Sequence, residues 1–293
     1  MIPPVPLREL PRNPWQQVSP CDGACSADEP REAAFWLRAV RWTVFVSVLI
    51  AGSVALAIAY PCGATARRVV IRGGARAMLW SLGMRVEPVG NVPLRSLVVA
   101  NHQSLLDIVA IASIAPAAFV AKADIFDVRA VAVLMRAFGA IPLRRERLSD
   151  LPRTVDQVSD LLRSGRTVAL FPEGTTYCGF HRGDFRPAFF QAAIDARADV
   201  VPVSLRYSMR LPGPARGARQ SAVAAYVGSD TEVATLSRVI AARGVAVRVH
   251  ATEVIAAADW ATAGRGALAA RAEASVFADA EFCESEAYLP LAA

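Results

Sequence analysis

Apolar runs of different lengths divide the chain into regions of different character. The first 35 residues are rich in proline and show no apolar periodicity, which predicts a flexible leader. Residues 42–60 then form an apolar run without a charge. As a helix rising ~1.5 Å per residue, this run is nearly as long as the ~30 Å hydrocarbon core of a bilayer. We therefore expect a transmembrane anchor helix within residues 36–60. A buried core helix and a signal peptide with a cleavage site near Ala57 and Ala59 are the alternatives.

Residues 61–90 combine basic and apolar positions. Five arginines are interleaved with apolar side chains, and no acidic residue occurs between Pro61 and Val86. This pattern is typical of a basic amphipathic segment at a membrane surface, which Gly73 and Gly74 are expected to interrupt. A helix face that packs on the folded domain is the alternative. The excess positive charge places this side of the anchor in the cytoplasm. The arginines are Arg67, Arg68, Arg72, Arg76 and Arg85.

Beyond residue 90, short runs rich in β-forming residues alternate with stretches long enough for helices. This alternation predicts an α/β domain over residues 91–260, with a mixed sheet flanked by helices. Residues 261–293 predict a C-terminal helix and an acidic tail. The predicted strands are 96–100, 117–121, 139–143, 167–171, 200–205, 222–228 and 245–250.

Composition narrows the classes of partner. The chain has 293 residues, of which 54% are hydrophobic, so it buries a large core and is not disordered overall. Its net charge of +6 favours an anionic partner, such as membrane lipid or an acidic carrier protein. Nucleic acid is not expected, because Trp80 alone supplies the aromatic interleaving that stacking needs in the arginine-rich segment. The sequence does not predict an oligomeric state.

The cysteines predict no metal site. Five are present, at positions 21, 25, 62, 178 and 283, and they are scattered except for CDGAC. That pair lies in the proline-rich leader, and the chain has three histidines in all. We therefore expect reduced cytosolic thiols rather than zinc ligands.

A polar cluster interrupts the apolar stretch VVANHQSLLDIVAI, residues 98–111. Ser104 stands where a helix N-cap is expected, and Asp107 occupies the capping-box position three residues later. His102 would then lie in the turn before the helix, within reach of the Asp107 carboxylate. Such a pair fixes the imidazole tautomer and suits a general base that deprotonates a hydroxyl. The alternative is that Asp107 only caps the helix and His102 is a surface residue.

Four blocks in order carry a family resemblance. Asn101 and His102 followed by Asp107, GAIPLRR at 139–145, FPEGT at 171–175 and VVPVSL around Pro202 resemble the signatures of a glycerolipid acyltransferase family. The family is typified by the 1-acyl-sn-glycerol-3-phosphate acyltransferases, or lysophospholipid acyltransferases, and the resemblance covers about residues 90–215. It implies the same mixed α/β fold.

The resemblance also implies roles for individual residues. His102 would be the catalytic base and Asp107 its orienter. Residues expected to bind substrate are Lys122, Arg144, Arg145, Glu173, Gly174 and Thr175. Related enzymes acting on glycerol phosphates commonly have a basic residue after FPEGT, where this chain has Thr176, and a glutamate where it has Asp124. The identity of the acceptor is therefore left open.

The implied reaction is acyl transfer from acyl-CoA or acyl carrier protein to the hydroxyl of a lysolipid. The favoured acceptor is 1-acyl-sn-glycerol-3-phosphate, which would give phosphatidic acid in phospholipid synthesis; lyso-ornithine lipid or another lysolipid is the alternative. No cofactor or metal is expected, and the enzyme would lie at the inner (cytoplasmic) membrane, its catalytic domain facing the cytoplasm. A serine hydrolase is not favoured, because the chain has no G-x-S-x-G motif. A non-catalytic membrane-bound lipid-binding module is a further alternative.

Overall fold

The computed structural model describes residues 18–30, 32–123, 127, 135, 139–144, 148–210, 218–260 and 262–278. The helices are α1 Phe35–Ala59, α2 Ala64–Ser81, α3 Leu106–Ile114, α4 Leu151–Arg163, α5 Phe190–Ala196, α6 Glu232–Ala241, α7 Ala257–Trp260 and α8 Gly264–Phe277. The strands are β1 Arg85–Val89, β2 Leu97–Ala100, β3 Ala118–Lys122, β4 Ile141–Leu143, β5 Val168–Leu170, β6 Val200–Arg210, β7 Ala218–Gln220 and β8 Val245–Ala251.

The strands form one mixed sheet in the order β1-β8-β6-β2-β5-β3-β4, and β7 pairs with β6. Strands β6, β2, β5, β3 and β4 run parallel to one another. Strand β8 runs antiparallel to β6, and β1 is parallel to β8. The predicted mixed α/β sheet flanked by helices is confirmed.

Both faces of the sheet are buried, which is why its central strands are continuously apolar. In β2, Val98 and Ala100 face a core that α1, α2, α3 and α6 contribute to, whereas Leu97 and Val99 face a core with α4, α5 and α8. All four side chains are fully buried. The parallel centre of the sheet is therefore a rigid platform for the loops at its carboxyl edge.

Helix α2 packs against α1 on one side and against α3 on another. Leu79 and Leu82, at the end of α2 and just beyond it, are fully buried in the core that also holds Phe45 of α1. The prediction that Gly73 and Gly74 interrupt the helix is wrong, because α2 runs through both. Each glycine costs about 1 kcal/mol in a helix, a penalty that the packing of α2 on its neighbours outweighs.

Residues 18–30 of the predicted flexible leader are packed on the domain. They contain a short 3₁₀ helix, Gly23–Ser26. The buried Glu29 carboxylate accepts hydrogen bonds from the Arg219 guanidinium, 2.9 Å, and from the Ala222 amide, 2.7 Å. The prediction of flexibility is wrong for these residues, because their anchors come from distant parts of the chain; residues 1–17 lie outside the described ranges.

The strand predicted over residues 222–228 is a buried loop. Its backbone groups are satisfied outside any strand ladder: the Arg238 guanidinium donates to the carbonyls of Val223 and Ala225, and the Tyr226 amide donates to the Gln103 carbonyl at 2.9 Å. An apolar run indicates burial, and burial here does not require a strand.

Candidate active site

The candidate active site lies where neighbouring parallel strands end. His102 follows β2, and Glu173 follows β5, which pairs directly with β2. Ligands bind at this carboxyl edge in open α/β sheets, because the loops that leave adjacent strands converge there.

His102 and Asp107 are joined by a hydrogen bond of 2.8 Å between Nδ1 and Oδ2. Asp107 lies in the first turn of α3 and is fully buried, while the His102 side chain is 13% exposed. Because Asp107 holds Nδ1, the Nε2 nitrogen is the one left to meet a substrate. The arrangement in which Asp107 caps the helix while His102 stands apart is therefore excluded.

The loop around Asp107 explains why a five-residue spacing brings the two side chains together. Asp107 Oδ2 also accepts from the backbone amides of Gln103, 2.7 Å, and Ser104, 2.8 Å. Ser104 Oγ accepts from the Leu106 amide at 3.1 Å. The carboxylate thus reaches back over the turn before α3 as in a capping box, and the imidazole is a third donor to the same oxygen.

Aromatic packing fixes the imidazole plane. The His102 ring is stacked on Phe171, with ring centroids 4.0 Å apart and an interplanar angle of 8°. Phe171 is the first residue after β5, so the first side chain of the FPEGT loop packs against the face of the histidine ring. The ring is therefore held at one nitrogen and packed on one face, and its side chain is 13% exposed.

Glu173 is a buried positioning group. Its side chain is 1% exposed; Oε2 accepts from the His102 amide, 2.5 Å, and Oε1 accepts from the Gly183 amide, 2.9 Å. Burial raises the pKa of Glu173 to about 8, although the two amide hydrogen bonds act in the opposite direction. A solvated loop carboxylate is therefore excluded, and the predicted contact with an acceptor stays a prediction.

The rest of the FPEGT loop is a tight turn. Gly174 adopts a left-handed φ of 72°, which residues with a side chain rarely adopt. Thr175 is half-buried beside it. The hydroxyl of Thr176 donates to the Tyr226 carbonyl, so this residue fastens the turn to the loop that follows β7. The substrate roles predicted for Gly174 and Thr175 stay predictions.

Two of the three predicted basic residues, Lys122 and Arg144, lie at the same edge of the sheet. Lys122 is the last residue of β3, and Arg144, which is exposed, follows β4. Since β3 and β4 are parallel, both positions lie at the carboxyl edge. Arg145 and Asp124 lie outside the described residues, and the Lys122 side chain is likewise not described. Their binding of an anionic head stays a prediction.

Three further buried polar residues belong to the site, and the sequence predicted no role for any of them. Tyr207 of β6 donates from its hydroxyl to Asp107 Oδ1 at 2.6 Å. The Asn101 side chain donates to the Leu205 carbonyl, 3.0 Å, and accepts from the Leu205 amide, 2.7 Å. The side-chain amide of Gln103 donates to the same Leu205 carbonyl, 2.8 Å. Asn101 and Gln103 belong to the polar cluster around His102 that interrupts an apolar stretch, so the sequence marks their positions. Tyr207 is 100 residues from Asp107 in an apolar strand, and no local signal marks it.

Together, a mixed α/β sheet and a held imidazole–carboxylate pair at its carboxyl edge define an α/β protein with a candidate base-catalytic site. Residues 84–206 match the family model described as Acyltransferase. A 1-acyl-sn-glycerol-3-phosphate acyltransferase of Neisseria meningitidis is 35% identical over 149 residues, which is 50% of this chain and 58% of the relative. A lyso-ornithine lipid O-acyltransferase of Rhizobium meliloti is 34% identical over 132 residues, 44% of this chain and 45% of the relative.

A solved structure has the same fold. The crystal structure of the 1-acyl-sn-glycerophosphate (LPA) acyltransferase PlsC from Thermotoga maritima matches with a TM-score of 0.61 at 20% identity, covering 87% of this chain and 97% of that one. The chain spans about half the length of these two curated relatives, 58% of the meningococcal protein and 45% of the rhizobial one. The family model thus covers the part of the chain that holds His102, Asp107 and Glu173, and the solved structure shows the same fold.

Proposed function

We propose that this protein transfers a fatty acyl chain from a thioester, acyl-CoA or acyl carrier protein, to the hydroxyl of a lysolipid. The observation that carries the proposal is the 2.8 Å bond between His102 Nδ1 and a fully buried Asp107, which leaves Nε2 as the nitrogen free to act as a base on a side chain that is 13% exposed. The names of the curated relatives support a lysolipid as the acceptor.

In the proposed mechanism, His102 Nε2 removes the proton of the acceptor hydroxyl as its oxygen attacks the thioester carbonyl. Asp107 stabilises the imidazolium that forms, and Tyr207 and the two loop amides hold the carboxylate in place. The tetrahedral intermediate then breaks its carbon–sulfur bond, and the imidazolium returns the proton to the departing thiolate. No acyl-enzyme is required, because the thioester is already activated.

Glu173 acts on this chemistry through His102. Both of its carboxylate oxygens accept hydrogen bonds from backbone amides, one from His102 and one from Gly183. It therefore ties the loop after β5 to the turn that carries the base. Contact with the anionic head of an acceptor is assigned to Lys122, Arg144 and Arg145, since guanidinium and ammonium groups suit phosphate oxygens.

The favoured acceptor is 1-acyl-sn-glycerol-3-phosphate, with phosphatidic acid as product. The identity of 35% to a relative with that name supports it, and 34% to a lyso-ornithine lipid O-acyltransferase keeps the alternative open. Thr176 stands where a basic residue is expected for a phosphate acceptor, and its hydroxyl is bound to the Tyr226 carbonyl. A phosphate contact from this position is therefore missing.

We also propose that α1 attaches the protein to a membrane. Among the described residues, α1 is the helix long and apolar enough to cross a bilayer. Many of its large apolar side chains are exposed, including Trp36, Ile50, Val54 and Ile58. Exposed apolar area of this extent favours contact with lipid.

The contacts of α1 favour entry into the bilayer from one side over a complete crossing. The Ala33 amide donates to the Ala241 carbonyl, 2.9 Å, and the Arg41 guanidinium donates to the carbonyls of Ile240 and Ala242, both 2.7 Å. The start of α1 is thus bound to the domain, and its end is returned to the domain by α2. A single crossing would place the two ends on opposite sides of the membrane.

An acceptor panel tests the proposed function. Purified, detergent-solubilised protein is incubated with labelled acyl-CoA or acylated carrier protein and with 1-acyl-sn-glycerol-3-phosphate, lyso-ornithine lipid or a lysophospholipid without a phosphate monoester. We expect acylation of at least one lysolipid, fastest for 1-acyl-sn-glycerol-3-phosphate. No acylation of any acceptor by folded, membrane-binding protein would favour the non-catalytic lipid-binding module.

A further inference from the structure

A second cluster of chemically capable side chains lies beside the candidate active site. Sulfur and imidazole nitrogen atoms of four residues come within 4.8 Å of one another. Cys178 Sγ is 3.4 Å from His181 Nδ1, and the Cys178 amide donates to Cys21 Sγ at 3.3 Å. Cys21 and Cys178 are buried, Cys25 is half-buried and His181 is exposed. The members of the cluster are Cys21, Cys25, Cys178 and His181.

We propose that these four residues bind one structural zinc ion. Three thiolates and one imidazole are a common ligand set for structural zinc, and four protein ligands leave no open position for substrate. Around a tetrahedral zinc, with bonds of about 2.3 Å to sulfur and 2.0–2.1 Å to nitrogen, ligand atoms are about 3.5–3.8 Å apart. The observed separations need only small side-chain movements to reach that geometry.

The local backbone suits the ligand spacing on both segments. Cys21 precedes the short 3₁₀ helix, Gly23–Ser26, and Cys25 lies within it, and this turn brings both sulfurs into the same cluster. Between Cys178 and His181, Gly179 adopts a left-handed φ of 97°. This turn folds the second pair back toward one point. The sequence prediction of no metal site rested on the isolation of CDGAC in the leader; the fold supplies the missing ligands from CGFH, residues 178–181.

The cluster is connected to the groups that hold His102. Immediately before Cys178, the Tyr177 amide donates to the His102 carbonyl at 2.8 Å. Two residues after His181, the Gly183 amide donates to Glu173 Oε1 at 2.9 Å. The loop between these bonds carries two of the ligands, and the other two come from a segment more than 150 residues away. A zinc ion here would fasten the loop next to the active site to the N-terminal segment.

The composition of the cluster favours a metal site over a disulfide bond. In the structure Cys21, Cys25 and Cys178 are all free thiols. A disulfide joins two sulfur atoms, whereas this cluster brings together three sulfur atoms and an imidazole nitrogen. Soft thiolate donors also accept copper(I) and iron, so the identity of the bound metal is part of the test.

The experiment measures metal in the purified, full-length, reduced protein by inductively coupled plasma mass spectrometry. We expect about one zinc ion per chain, as a closed four-ligand site binds one ion. After exchange with cobalt(II), we expect the visible absorption of a tetrahedral ion and a thiolate charge-transfer band in the near ultraviolet. These readouts do not depend on acyl transfer, so they stand or fall separately from the proposed function.

Matched variants separate the cluster from other cysteines. Cys25→Ser and His181→Asn replace the two ligands that are not fully buried, and each should lower the zinc content several-fold while the chain stays folded. Cys62→Ser, at an exposed cysteine between α1 and α2, should retain the wild-type content. The proposal is overturned if wild-type protein purified without chelator has no stoichiometric zinc and does not take up cobalt. A different metal at one ion per chain would also overturn it. So would a disulfide within the cluster, in protein whose thiols were protected during isolation. The third contrary result is a wild-type zinc content in Cys25→Ser and His181→Asn.

Discussion

Asp107 accepts four hydrogen bonds and is fully buried, so its replacement by asparagine is the sharpest probe of its charge. In Asp107→Asn, the amide oxygen can accept from His102 and the two loop amides, and the amide nitrogen can donate to the Tyr207 hydroxyl, which rotates to accept. We expect a folded protein whose rate of acyl transfer falls about 10²–10⁴-fold, because the imidazolium loses its counter-charge. Single-turnover kinetics and the melting temperature check this pair of outcomes. A variant that keeps its rate would show that the carboxylate charge is not used.

Tyr207→Phe separates the positioning of Asp107 from its charge. The change leaves Asp107 Oδ1 buried without the hydroxyl donor, which costs about 1–3 kcal/mol of folding free energy. We expect a loss of stability in this range together with a smaller loss of kcat than in Asp107→Asn, and a KM that changes little. Denaturant unfolding and steady-state kinetics measure the two effects. An unchanged stability would mean that the hydroxyl is not a structural donor.

Glu173 should make the stability of the protein depend on pH. Burial raises the pKa of Glu173 to about 8, well above its ordinary value of 4.5, so folding favours the protonated form. The stabilisation from this group is therefore fully present below about pH 4.5 and is lost as the pH rises through about 8. Glu173→Gln cannot ionise. As the pH rises from about 4.5 to about 8, we expect the melting temperature of the wild type to fall relative to that of this variant. A difference that does not change with pH, or that changes in the opposite direction, would contradict the raised pKa.

Helix α2 uses some of its arginines within the fold, not only toward lipid. Arg76 Nε donates to the Ser113 carbonyl, 3.0 Å, and Arg72 Nη2 donates to the Ile114 carbonyl, 2.5 Å, at the carboxyl end of α3. Cations at this end of a helix also interact favourably with its dipole. The predicted alternative of a helix packed on the domain therefore describes this face of α2.

Arg76→Ala tests this structural use. We expect a loss of about 0.5–1.5 kcal/mol in the free energy of unfolding, as for a typical hydrogen bond at a partly exposed site. Arg85→Ala, at an exposed arginine that opens β1, should cost less and is the matched control. If both variants lose equally little stability and only weaken binding to anionic vesicles, the arginines of α2 serve the membrane surface alone.

The central strands were predictable because burial on both faces makes them continuously apolar. Strand β1 was missed: its residues Arg85, Glu87 and Pro88 are typical of an edge strand, and an edge carries no such apolar run. The stretch 222–228 was misassigned because a buried loop has the same composition as a buried strand. Short apolar runs therefore reveal which residues are inside, whereas the sheet assignment depends on partners elsewhere in the chain.

The candidate site was predictable where its residues are close in sequence. The turn that joins His102 to Asp107 is local, and a capping pattern marks it. The supports from Tyr207 and from the Cys21 to His181 cluster require segments 100 or more residues apart to meet, and only the fold brings them together. Sequence reasoning thus identified the candidate pair His102 and Asp107, and the structure adds the groups that hold it.

The attachment of both ends of α1 to the domain predicts a single-sided membrane protein. Epitope tags at the N-terminus and the C-terminus of the full chain should be digested by protease from the same side of sealed vesicles of known orientation. The reason is that residues 18–30 and the start of α1 are packed against the domain that follows α2. Protection of one tag and digestion of the other would show that α1 crosses the bilayer, as its length alone suggests.

The role of His102 as general base is tested most directly by single-turnover acyl transfer to the best acceptor of the panel, with His102→Ala compared with His250→Ala. His250 lies on β8 outside the candidate site, so its variant controls for the loss of a histidine as such. We expect the rate to fall about 10²–10⁴-fold in His102→Ala and to stay near wild type in His250→Ala, with folding and vesicle binding unchanged in both. Retention of more than about a tenth of the wild-type rate in folded His102→Ala would contradict general-base catalysis by His102, since such a base contributes at least about 10²-fold.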